Sequence, residues 1–262
     1  MKKVTYFLKS FPVLSQTFVI DQINNLIESG CDVRIISVFP EKIDSKLKGS
    51  VDKFNLLEKT EYVCEKQSYF GKVCFLLLAF FTCLKRFRNS RSVLNLFKHL
   101  ALSRDFKNAI NIVRIHHHLI YKSQIPQEFR MGTFIAHFGQ FGVMTQALID
   151  SKILSGKLLT VFHGYEMSEH EQIKIWKTRY VGLCKGNNQL LPISDFWKKR
   201  LIEWGASEEH VSVLHMGVDT QSLPFQPKPL KNPINILTVA RATEKKGLTY
   251  AFEAVSLGLS FP

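Results

Sequence analysis

Residues 4–38 read VTYFLKSFPVLSQTFVIDQINNLIESGCDVRIISV. The run Val4–Leu8 is apolar except for Thr5 and is the length of a buried strand. Phe11–Ser15 reads as a loop, with Ser15 in position to cap a helix. Beyond it Phe18, Val19, Ile23, Leu26 and Ile27 recur at helical spacing, which lines one face of a helix. Gly30 supplies the left-handed residue that ends such a helix. Val33–Val38 is then a second β-branched run. A strand, a helix and a strand of this length imply a parallel pair joined by a right-handed crossover.

The same alternation returns further along. Thr133–Ala136 reads as a strand and Gln140–Ile149 as a helix. Leu158–Phe162 is a strand, His170–Cys184 a helix, Gln189–Ile193 a strand, Phe196–Trp204 a helix and Val211–Leu214 a strand. Residues 42–124 read as mostly helical, basic and rich in Phe and Leu. The fold class is therefore α/β, with a doubly wound, mostly parallel sheet. A proline-rich stretch, Pro224, Pro227, Pro229 and Pro233, reads as a linker. After it Ile234–Ala240 reads as a strand and Gly247–Ser256 as a helix. The expected organisation is a domain over 1–220, a linker over 221–233 and the start of a second α/β domain over 234–262.

Composition narrows the class. Of 262 residues 45% are hydrophobic and 22% charged, which excludes a disordered chain. Thirty-five Lys and Arg against 22 Asp and Glu give a net charge of +13. Such an excess suits anionic partners, whether nucleic acid, acidic lipid or phosphorylated small molecules. No nucleic-acid recognition motif accompanies it, so nucleic acid is not expected as a partner. The five cysteines, Cys31, Cys64, Cys74, Cys83 and Cys184, include no Cys-x-x-Cys pair. They point to a reducing compartment rather than to disulfides or zinc.

The apolar start after Lys2 and Lys3 ends at Lys9, too soon for the ~7–15-residue core of a signal peptide. The longest apolar run, Val73–Leu84, is also shorter than the ~20 residues of a membrane span. Lys85, Arg86, Arg88 and Arg91 follow it. Two readings stand: a helix lying on an anionic membrane surface, or a core helix whose cations suit its C-terminal dipole.

In doubly wound sheets chemistry gathers in the loops after the strands. One such loop is His163-Gly164-Tyr165-Glu166. Its histidine can bond a sugar or a phosphate or shuttle a proton, or can be a structural residue tied to a backbone carbonyl. Another, His137 to Gly142, has two glycines leading into a helix start. It reads first as a tight turn and only second as an anion site. His116-His117-His118 is not a metal site, because neighbours on a helix point in different directions. In Arg241 to Gly247, Arg241 and Lys246 bracket a helix start in a pattern suited to a diphosphate. In His215 to Asp219 a glycine fits a tight turn, and Asp219 is a cap or a ligand.

Taken in order, these loops are similar to those of family 4 glycosyltransferases with the GT-B fold, the bacterial exopolysaccharide and colanic-acid type. The residues that carry the resemblance are Phe11 to Phe18 (FPVLSQTF), Ala136 to Gly139 (AHFG), Val161 to Tyr165 (VFHGY), Pro192 to Ser194 (PIS), His215 to Asp219 (HMGVD) and Val239 to Gly247 (VARATEKKG). The resemblance implies a GT-B-like fold and transfer of a sugar from a nucleotide donor to a glycan or lipid-linked glycan, with retention at the anomeric carbon. It implies no cofactor and no metal. His163 would be catalytic through contact with the donor sugar. Arg241 and Lys246 would neutralise the donor diphosphate, with Gly164 and Glu166 also on the donor. Ser15, Gln16, Thr17, Phe18, His137 and Gly139 would face the acceptor. The expected place is the cytoplasm, peripheral to the inner face of the membrane.

Two departures stand out. Glu166 is found where Asp is commoner, and Met216 where Asn is usual. The Glu-x7-Glu element of the second domain has no counterpart after Gly247. The sequence alone thus suggests a shortened chain of doubtful activity. The alternative is an acceptor- or membrane-binding half that works with a separate donor-binding partner.

Overall fold

In the computed structural model, residues 1–64, 87–186, 188–217, 220, 225–227, 229 and 235–258 are described. The run 73–84 with Lys85 and Arg86, the residue Asp219, and most of the proline-rich linker lie outside them. The chain divides into two compact units, Met1–Val218 and Asp219–Pro262.

The first unit is built on six strands: β1 (Lys3–Phe11), β2 (Asp32–Pro40), β3 (Thr60–Tyr62), β4 (Thr133–His137), β5 (Lys157–Phe162) and β6 (Gln189–Pro192). They form one sheet in the order β3-β2-β1-β4-β5-β6, with every pair parallel. The helices are α1 (Thr17–Glu28), α2 (Lys48–Asp52), α3 (Phe87–Leu102), α4 (Phe106–Tyr121), α5 (Gly139–Asp150), α6 (Tyr165–Ser168), α7 (His170–Cys184) and α8 (Asp195–Glu203).

Successive strand residues point to opposite faces, so each strand feeds two cores. Tyr6, Leu8 and Ile35 pack with Val19, Ile20 and Ile23 of α1 on one face. Phe7, Ile36, Phe134 and Phe162 pack with α3, α4, α5 and α7 on the other. This is the doubly wound, Rossmann-like arrangement. The strand order reverses between β1, which continues to β2, and β4, which continues to β5. A crevice at such a switch point is where ligands of this architecture bind.

Several expected elements differ in detail. α1 begins at Thr17 and its N-cap is Gln16. Ser15 caps nothing, because Leu14–Gln16 forms a separate 3-10 turn that takes Ser15 out of the cap position. β3 was hidden in a stretch expected to be helical, being only three residues long and carrying Glu61. Val211–Leu214 is not a strand. It follows β6 through Ser212 N–H to Leu190 O and Leu214 N–H to Pro192 O but makes only the single bridge Leu190–Val211.

In the second unit, residues 235–240 form no strand. A strand needs a neighbour to satisfy its backbone, and no described segment offers one there. The expected helix is present as α9 (Leu248–Gly258), after a 3-10 turn at Glu244–Lys246. Among the described residues no helix is long and apolar enough to cross a membrane.

Candidate functional site

Beside the switch point, α1 comes together with the ends of β4 and β5. His137 is the last residue of β4 and is buried. His163 follows β5 and is half-buried. Their rings are joined by a hydrogen bond between His137 Nδ1 and His163 Nε2 of 2.9 Å. The other nitrogen of His137 lies 2.9 Å from Gln22 Oε1, and the Tyr6 hydroxyl donates to the same oxygen over 3.0 Å. Four residues from four segments, β1, α1, the end of β4 and the loop after β5, thus form one hydrogen-bonded chain.

Aromatic rings fix the two imidazoles. Tyr6 stacks on His137 with centroids 5.9 Å apart. Phe18 lies 4.9 Å and Phe138 4.6 Å from the His163 ring. Phe138 adopts φ 72°, an unusual backbone for a residue with a side chain, while its N–H donates to Val161 O. Burial disfavours the charged imidazolium. It lowers His163 to about 4 and, together with the nearby His163, lowers His137 to about 3. Both rings are therefore neutral at pH 7.

The carboxyl of Glu166, a residue expected on the donor, lies beneath the loop. The residue is fully buried. Its Oε1 accepts from His163 N–H at 3.0 Å and from Gly139 N–H at 3.2 Å, which ties the β4 and β5 loops together. Desolvation raises its pKa against the lowering effect of those backbone bonds. Its Oε2 is buried without a partner among the described residues, as is the Tyr180 hydroxyl nearby.

Gly164 has φ +83°, and a Cβ there would come within 2.6 Å of the Trp197 indole nitrogen. Gly139 starts α5 against the rings of Phe162 and Tyr180, where a Cβ would lie 2.5 Å from Phe162. Each glycine therefore lets a loop sit close to an aromatic ring, partly buried at Trp197 and fully buried at Phe162.

Of the residues expected on the acceptor side, Phe18, His137 and Gly139 join this site. Ser15 and Thr17 are exposed and Gln16 is partly exposed. Arg241 and Lys246 belong to the second unit, where both are exposed. His116, His117 and His118 are buried in α4, with His116 bonded to Ser90 and His118 to Glu61. Among the described residues no group of three or more His, Cys, Asp or Glu is placed to hold a metal.

Sequence reading missed Tyr6 and Gln22. The signal for Gln22 was its place four residues after Phe18, on the same face of α1. Tyr6 gave none, because a tyrosine in a buried strand reads as core.

No protein-family model matches the chain. It is 35% identical over 261 residues to WcaL of Escherichia coli (strain K12), a protein assigned as a colanic acid biosynthesis glycosyltransferase. It is 33% identical over 253 residues to the amylovoran biosynthesis glycosyltransferase AmsK of Erwinia amylovora. WcaL of Salmonella typhimurium is 33% identical over 259 residues. The chain is homologous to these glycosyltransferases. Each match takes in 96% of this chain, and the chain spans 60% of the length of these relatives.

Proposed function

We propose that this chain supplies the acceptor-side domain of a retaining, nucleotide-sugar-dependent glycosyltransferase that builds a bacterial surface polysaccharide or exopolysaccharide. The observation that carries this reading is a neutral histidine, His163, held beside the switch point of a doubly wound sheet by a chain of part-buried hydrogen bonds. A neutral imidazole makes hydrogen bonds to sugar hydroxyls without the cost of burying a charge. The homology to exopolysaccharide glycosyltransferases supports the same reading.

In this reading His163 contacts the donor sugar, and Phe18, His137 and Gly139 shape the acceptor side. Arg241 and Lys246 neutralise the diphosphate leaving group, as transition-state charge requires. Residues 1–220 form the acceptor-side domain, 221–233 the linker and 234–262 the opening of the donor-side domain. The acceptor is a glycan or a lipid-linked glycan. The net charge of +13 supports a cytoplasmic enzyme resting on the anionic inner face of the membrane.

One observation favours a variant of this reading. Ile236, Leu237, Val239, Tyr250 and Phe252 are exposed, although a β–α unit normally buries its apolar side. We infer that further elements of a donor-side domain, on the same polypeptide or on a partner, cover them.

Deletion of the gene in its own organism tests the proposal. Loss of a surface or released polysaccharide, restored by the wild-type gene and not by His163→Ala, is the expected result. An unchanged polysaccharide profile in the deletion strain would overturn the reading.

A further inference from the structure

The chain from Tyr6 to His163 has a direction. Gln22 Oε1 carries no hydrogen, so it accepts from both of its neighbours, the Tyr6 hydroxyl and His137 Nε2. A neutral imidazole carries one proton. With that proton on Nε2, His137 has only a lone pair at Nδ1. The nitrogen facing it at 2.9 Å, His163 Nε2, must then be the donor. That leaves His163 Nδ1 without a proton. No described residue bonds to Nδ1, and it is not among the buried polar atoms that lack partners, so it is not sealed from solvent. The two rings beside it, Phe18 and Phe138, offer only apolar carbon.

We propose that Gln22 is a positioning residue that fixes His163 as its Nε2–H tautomer, so that the site presents the bare Nδ1 as an acceptor for a ligand hydroxyl. The nature of that ligand rests on the sugar-transfer reading, whereas the tautomer does not. The consequence is selective. A bare nitrogen bonds a hydroxyl, which can donate, but gives nothing to an ionised phosphate or carboxylate oxygen, which can only accept. Of the two partners open to His163 from sequence, sugar or phosphate, this geometry serves the sugar. Burial supports it by keeping both rings neutral, since a second proton on either ring would reverse the donor and acceptor roles.

The test is nitrogen NMR of the intact chain, labelled with 15N in its histidine rings and read at neutral pH. In the wild type, His163 Nδ1 is expected at the downfield position of an unprotonated ring nitrogen and Nε2 at the protonated position. Gln22→Met keeps the length of the side chain and removes the acceptor that orients His137. The two His163 nitrogen signals are then expected to move toward each other as both tautomers become populated, with the backbone amide spectrum otherwise retained. A protonated Nδ1 in the wild type overturns the proposal, as does a His163 signal that Gln22→Met leaves unmoved.

Titration with a panel of uridine and guanosine diphosphate hexoses separates the two layers. A shift of Nδ1 with the hexose nucleotides but not with the nucleoside diphosphates alone supports a hydroxyl ligand. A bare Nδ1 that no hexose nucleotide perturbs overturns the hydroxyl assignment and counts against the sugar reading, while the role of Gln22 stands.

Discussion

At the residue scale the site depends on two histidines kept neutral by burial. Their folded-state pKa values, about 4 for His163 and about 3 for His137, lie below the ordinary 6.5. Between pH 6.5 and 4 the unfolded chain therefore binds protons at these positions that the folded chain does not. Stability falls as pH drops through this window, by up to ~1.4 kcal/mol per pH unit for each ring. Thermal melts from pH 7 to 4 should show that slope, and replacing His163 by Asn should reduce it. A melting temperature equally pH-dependent in the variant would contradict the assignment.

Glu166 carries a different prediction. Its Oε1 serves two backbone N–H groups, so Glu166→Ala leaves both buried and unpaired, at ~1–3 kcal/mol each. Glu166→Gln retains an acceptor oxygen and should lose much less, as denaturant titration of both variants will show. The histidine at the end of the β5 run was legible in the sequence as a chemical residue. The downward turn of Glu166 was not, because a carboxylate in a loop reads as solvent-facing until the two N–H groups beneath it are known.

At the scale of elements, the longer helices between the strands were the legible ones. His170–Cys184 reads at its observed limits. There Glu169 caps the helix by accepting from Glu171 and Gln172, and the Trp176 and Tyr180 rings are fully buried one turn apart. Trp176 also donates its indole N–H to Asp105 over 3.0 Å, which ties α7 to the cap of α4. Trp176→Ala should cost ~3–5 kcal/mol from the lost volume alone, measurable by chemical denaturation. A loss below ~1 kcal/mol would mean that α7 is not held through this ring.

Short elements were harder to read. β3 has three residues and no periodicity to display, and its place follows from its pairing with β2 at Ile35 to Ser37. Val211–Leu214 shows the opposite error, in which an apolar alternation promised a strand. Beside a four-residue β6 it found room for one bridge only.

At the scale of the whole molecule, both hydrophobic cores draw their members, among the described residues, from residues 4–214. A chain ended at residue 218 should therefore keep its sheet and its melting temperature within a few degrees, as circular dichroism would show. A collapse of the melt would mean that the second unit supplies part of the core. The parallel, doubly wound architecture was legible because strand and helix periods alternate along most of the chain. The missing strand at 235–240 was not, since an apolar run reports its own preference and not whether a neighbour exists to pair with it. The homology spans the same alternation and extends along 96% of this chain.

The central claim is that His163 works on a sugar. Its most direct test is transfer of a labelled hexose from a nucleotide donor into the lipid-linked fraction of the organism's own membranes, with the wild-type chain present or replaced by His163→Ala at equal abundance. The account predicts incorporation with the wild type and a loss of at least tenfold with the variant. Equal incorporation by both would contradict it.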